Sequence, residues 1–107
     1  MNIEIRREDG AATLAPHGDI VASSVPELRP ALRELVREGV GGVTVDLAET
    51  AMIDSTGLGL LIATYNSLMK SKGRFALVNA SPEILELLQA MRIHQHFEVG
   101  GRLEEAG

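Results

Sequence analysis

The chain has 107 residues, 45% of them hydrophobic and none a cysteine, so a core can form without staples and disulfides, thiolate zinc sites and cysteine nucleophiles are excluded. Fifteen acidic residues against ten basic ones give a net charge of -5, and aromatics make up 3%, which disfavours nucleic-acid binding and points to a basic protein surface as partner. Arg6-Arg7-Glu8-Asp9 interrupts any N-terminal apolar run, and no stretch approaches the roughly 20 apolar residues of a membrane span, so the expectation is a single cytoplasmic domain over 1–107.

Ile3 and Ile5 alternate with Glu4 and Arg6 as in a half-exposed strand, Glu8-Asp9-Gly10 reads as a turn, and Ala11 to Ala15 forms the second arm of a hairpin. Ser24-Val25-Pro26-Glu27 has capping-box spacing, and Val25, Leu28, Leu32, Leu35 and Val36 then share a helical face up to Gly39. Pro30 removes a backbone donor, which predicts a kink or irregularity there. Val43 to Leu47 is a β-branched strand, and Leu58, Leu61, Ile62, Tyr65 and Leu68 recur at helical spacing until Ser71 to Gly73, with Lys70 and Lys72 facing the helix dipole and Gly73 closing the helix. Phe75 to Val78 is continuously apolar, as in an interior parallel strand. Ser81 caps and Pro82 opens a last helix lined by Ile84, Leu87, Leu88 and Met91. A short strand around His96 to Val99 follows, and the tail from Gly100 to Gly107 is a short helix or disordered. Helices alternating with strands after a hairpin imply parallel strands joined by right-handed crossovers, hence an α/β fold.

Asp54-Ser55-Thr56-Gly57-Leu58-Gly59 joins the apolar Met52-Ile53 to the helix that begins near Ser55. A helix N-terminus carries unpaired N–H groups and partial positive charge, so a phosphate on Ser55 would be stabilised there. Gly57 and Gly59 each cost about 1 kcal/mol against Ala in a helix, a cost that close approach by another backbone or a partner would explain. The plainer alternative is that Asp54 or Ser55 is only an N-cap and the glycines only pack against a strand.

The run Met52-Ile53-Asp54-Ser55-Thr56-Gly57-Leu58-Gly59-Leu60-Leu61 resembles the signature of the STAS family, in particular its stand-alone bacterial members, the anti-sigma factor antagonists, and nearly the whole chain fits. The resemblance implies a mixed four- to five-stranded sheet with an antiparallel N-terminal hairpin and helices wound largely on one face. It also implies that the serine after the aspartate, here Ser55, is phosphorylated by a partner kinase that is also the anti-sigma factor, and that a phosphatase reverses this. The unphosphorylated form would hold the kinase and free a sigma factor, and phosphorylation would release it by adding about 1.5 to 2 negative charges to the contact surface. On this reading Asp19, Asp54, Ser55, Thr56, Gly57, Leu58 and Gly59 form the partner surface. One departure is Gly18-Asp19-Ile20-Val21, where Val21 stands at the place of a family carboxylate and Asp19 keeps an acidic group nearby.

Catalysis is not expected, because the run around Ser55 is not Gly-x-Ser-x-Gly and no histidine is tied to it by spacing. Gly57-Leu58-Gly59 completes no phosphate loop, His94 and His96 lack a third metal ligand, His17 reads as a loop residue near the signature, and the methionines read as core or rim filler, so no cofactor or metal is expected. Two further functional readings are a non-switching STAS scaffold or subunit in a chemosensory, stressosome-like or lipid-transport assembly, and a small nucleotide sensor using the helix N-terminus.

Overall fold

The computed structural model describes residues 1–92 and 98–101. β1 (Asn2–Glu8) and β2 (Ala11–His17) pair antiparallel across Asp9-Gly10, with Glu8 opposite Ala11. Both turn residues have positive φ, 52° and 78°, the two-residue hairpin turn whose backbone twist matches the strands; only the glycine takes that shape freely. The chain then alternates α1 (Val25–Arg37), β3 (Gly42–Asp46), α2 (Ser55–Lys70), β4 (Arg74–Ala80), α3 (Pro82–Ala90) and β5 (Glu98–Gly101).

The sheet runs β1-β2-β3-β4-β5, and every pairing after the hairpin is parallel. Because each crossover steps one strand in the same direction, right-handed connections bring all three helices to one face. The burial agrees: Ala12, Val43 and Phe75 lie in register, as do Leu14, Val45 and Leu77, and all six are buried in one cluster with Leu28, Leu32, Leu61, Ile84 and Leu88 of the helices. Thr13, Thr44 and Ala76, of opposite parity, are only half-buried.

Several local expectations are corrected. Ser24 precedes α1 but in a helical conformation, and its side chain makes no cap bond, so the capping box does not form. Its Oγ instead accepts from Val21 N–H at 3.0 Å and donates to the Asp19 carbonyl at 2.6 Å, while Glu27 holds the N-terminal ammonium at 3.0 Å. α1 continues through Pro30; Pro26 and Pro30 both lie on its exposed side, where water can meet the carbonyl left without a donor.

The left-handed residue after α2 is Lys72, with φ of 60°, and not Gly73. Gly73 and Lys72 N–H groups donate to the Leu68 and Met69 carbonyls at 2.7 and 3.1 Å, the double bond of a Schellman stop. Gly73 is small because a Cβ there would sit 3.2 Å from Leu68 Cδ2.

The α2 core face includes Leu60 and Thr64 as well as Leu58, Leu61 and Leu68, since α2 packs on both α1 and the sheet, and Ile62 is 38% exposed. Met91 is the C-cap of α3, 56% exposed, and all four methionines are rim residues. His94, His96 and the segment 102–107 lie outside the described residues.

Candidate functional site

Parallel β2 and β3 end at the same edge of the sheet, so the loops that follow them, 18–24 and 47–54, meet there. Ile20 and Ile53 form an isolated parallel bridge, in which Ile20 N–H donates to the Met52 carbonyl at 3.0 Å and Asp54 N–H to the Ile20 carbonyl at 3.2 Å. Two carboxylates lock this crossing in opposite directions. Asp19 Oδ1 accepts from Ala51 and Met52 N–H at 3.0 and 3.2 Å, reaching from the first loop into the second. Asp54 Oδ2 accepts from Ala22 N–H at 2.9 Å, reaching back, while its Oδ1 caps α2 through Gly57 N–H at 2.8 Å. Thr50, buried, adds a bond from its Oγ1 to the Gly18 carbonyl at 2.9 Å.

Asp54 is therefore the N-cap, and the cap does more than end a helix, because the same side chain fixes a loop 32 residues away. The Gly57 N–H, then the Ala22 N–H, hold its carboxyl below the usual aspartate range, against the opposing effect of desolvation. The charged acceptor strengthens both bonds.

Ser55 takes the first helical position, exposed, and among the described residues its hydroxyl has no hydrogen-bond partner. Thr56 is exposed beside it and does not cap. The two glycines separate in role. A Cβ on Gly57 would strike the Ile20 carbonyl oxygen and stand 2.9 Å from Ile20 C and Cγ2, so the close approach at Gly57 is made by the chain's own backbone. A Cβ on Gly59 would meet nothing within 4 Å, and Gly59 is exposed.

Of the expected contact residues, Ser55, Thr56 and Gly59 share an open surface. Leu58 does not: it is 5% exposed and belongs to the core, and Gly57 is buried against Ile20. Asp19 and Asp54 are half-buried with their carboxylates turned to backbone amides, so they hold the frame. Of the apolar pair before Asp54, Ile53 is buried and Met52 is a surface residue, 54% exposed.

Val21 is half-buried, with its N–H on Ser24 Oγ and its carbonyl accepting from Ser24 and Val25 N–H. His17, at the end of β2, lies between carboxylates, Nδ1 at 2.8 Å from Glu49 and Nε2 at 3.1 Å from Glu4, so its two nitrogens face different partners. Among the described residues no group of three or more His, Cys, Asp or Glu is placed to hold a metal. Among the described residues no base is hydrogen-bonded to the Ser55 hydroxyl.

The sequence model of the STAS domain matches residues 2–106. An anti-sigma-B factor antagonist of Staphylococcus epidermidis is 29% identical over 106 residues, covering 97% of this chain and 98% of that protein. Among solved structures, a putative anti-sigma factor antagonist from Thermotoga maritima superposes with a TM-score of 0.88 at 19% identity, covering 97% of this chain and 90% of that one. An anti-sigma factor antagonist from Mycobacterium paratuberculosis superposes with a TM-score of 0.84 at 25% identity, covering 98% and 89%.

Proposed function

The chain belongs to the STAS domain family, and from that premise we propose that it is an anti-sigma factor antagonist, a binding protein and not an enzyme, switched by phosphorylation of Ser55. Unphosphorylated, it holds an anti-sigma factor of the serine-kinase type and frees a sigma factor. Phosphorylated by that kinase it lets go, and a serine phosphatase resets it. It works as a single domain in the cytoplasm; among the described residues no helix is long and apolar enough to cross a membrane.

The observation that carries this reading is the exposed, unpartnered Ser55 hydroxyl at the first position of α2, on a frame braced by Asp19 and Asp54. The helix start tolerates an added dianion. The brace keeps the surrounding backbone fixed, so phosphate changes the charge of the surface and not its shape. Met52, Thr56 and Gly59 form the rest of the partner contact, with Gly59 left small where another backbone would approach.

The test is incubation of the protein with its cognate anti-sigma kinase and ATP. The expected results are phosphate on Ser55 alone and loss of the complex in Ser55→Asp. No label on Ser55, or full binding by Ser55→Asp, would sink the switch. Val21, apolar at the place where the family resemblance implies a carboxylate, favours one second reading, a non-switching STAS scaffold. A stable complex without kinase, indifferent to Ser55→Ala, would decide for it.

A further inference from the structure

α1 carries Arg29, Arg33 and Arg37 four residues apart, hence on one stripe, in a chain whose net charge is -5. They edge a groove between α1 and α2, about 260 Å³ in volume, with Leu32 in its floor and Ala63 and Ser67 on its opposite wall. Arg29 and Arg33 are exposed and make no ion pair among the described residues, and Arg37 has only the exposed Glu34 at 3.6 Å. The stripe spans eight residues, about 12 Å along the helix.

The groove lies on the two helices that begin at the switch surface, and Leu60 in its lining adjoins Gly59. α1 and α2 both start at the braced loops, joined by the Ala22 to Asp54 bond. Ala63 and Ser67 lie seven and eleven residues after Thr56, so the α2 wall continues the helical stripe that begins beside Ser55.

We propose that this groove docks an acidic helical segment of the partner protein, its carboxylates on the three arginines and its apolar side on Leu32 and Ala63. Net charge alone would call for a basic partner, but the charges nearest the groove are cationic, and local charge governs a contact at this range. A nucleic acid or an anionic membrane would meet the acidic remainder of the surface, whereas a single helix in the groove would not. The occupant rests on the switch reading above and deepens it: a carboxylate-bearing segment running toward Ser55 is repelled when phosphate is added at that end.

The experiment uses the full-length protein and a fluorescent synthetic helical peptide of about 12 residues, three turns, with glutamates at i, i+4 and i+8 and leucines between, read by anisotropy at low salt. Binding should fall about tenfold, or about 1.4 kcal/mol, in an Arg29→Glu/Arg33→Glu variant that keeps its circular dichroism spectrum and Tm. It should weaken with added salt and vanish for the peptide with glutamine in place of glutamate. Arg29→Gln/Arg33→Gln, which adds no new acidic groups, should show an intermediate loss. No binding by the wild-type chain, or binding indifferent to the arginines, overturns the proposal. So does arginine-dependent binding to phosphatidylserine–phosphatidylcholine vesicles in preference to the peptide, or an arginine-dependent homodimer in light scattering. If Ser55 takes no phosphate but arginine-dependent peptide binding persists, the switch fails and the groove stands; with the cognate kinase, loss of binding in Ser55→Asp but none in the arginine variants has the reverse meaning.

Discussion

Gly57 and Gly59 lie two residues apart on α2, and replacing each by alanine should move stability in opposite directions. At Gly57 the new methyl would overlap the Ile20 carbonyl oxygen and approach its carbon and Cγ2 to 2.9 Å, roughly 0.6 Å inside the closest favourable carbon contact. Two of these three Ile20 atoms are backbone and cannot swing aside. Overpacking of this kind costs about 1–3 kcal/mol. Relief requires the loop to retreat, which weakens the Ile20–Met52 and Asp54–Ile20 bonds at about 1 kcal/mol each. Against this stands the gain of about 1 kcal/mol in helix propensity from Gly to Ala. The net loss is about 2–4 kcal/mol, a fall in Tm of about 8–16 °C at about 4 °C per kcal/mol for a domain this size. At Gly59 the methyl meets nothing, and the propensity gain of up to about 1 kcal/mol should appear as a rise in Tm of up to about 4 °C. Calorimetry or urea unfolding of both variants decides the matter. A Gly57→Ala protein as stable as the parent would refute the close-approach argument. Gly59→Ala should at the same time weaken partner binding, and a variant that is stabilised without any loss of binding would remove Gly59 from the contact.

Ser24→Ala deletes the buried hydroxyl that joins Val21 N–H to the Asp19 carbonyl, and urea unfolding should show a loss of about 1–3 kcal/mol. Lys72→Gly relieves a left-handed lysine, worth about 1–2 kcal/mol, at a backbone-entropy cost of about 0.5–1, so Tm should rise by a few degrees, about 0.5–1 kcal/mol net. Asp54 is held below its ordinary value of 3.8 in the folded chain, so the unfolded state binds its proton first on acidification. Its contribution is present at neutral pH and is lost as pH falls through the folded value. In an NMR titration the Gly57 and Ala22 amide shifts should move together with a midpoint below 3.8, and Asp54→Asn should abolish that shared step.

Much of the architecture follows from short-range pattern. Asp9-Gly10 between alternating runs determined the hairpin, because two positive-φ positions are what a two-residue turn demands. The 3.6-residue recurrence of leucines marked the three helices, and Ser81 caps α3 through Ile84 N–H at 3.2 Å as its position predicts. Asp54-Ser55 at a helix start was legible for the same reason: caps and dipoles act within one turn.

Contacts between residues far apart in sequence were decided only by the tertiary structure. No local pattern says that Asp19 reaches Ala51 and Met52 or that Asp54 reaches Ala22; those bonds exist because parallel β2 and β3 bring their following loops to one edge. Ser24 shows the competition most plainly. Its sequence suits a capping box, yet its hydroxyl is spent on Val21 N–H and the Asp19 carbonyl of the loop before α1, a side-chain-to-backbone turn that competes with the cap for the same oxygen. Gly57 and Gly59 are alike in the sequence and differ in the fold, since only packing determines which one meets Ile20 and which one faces outward.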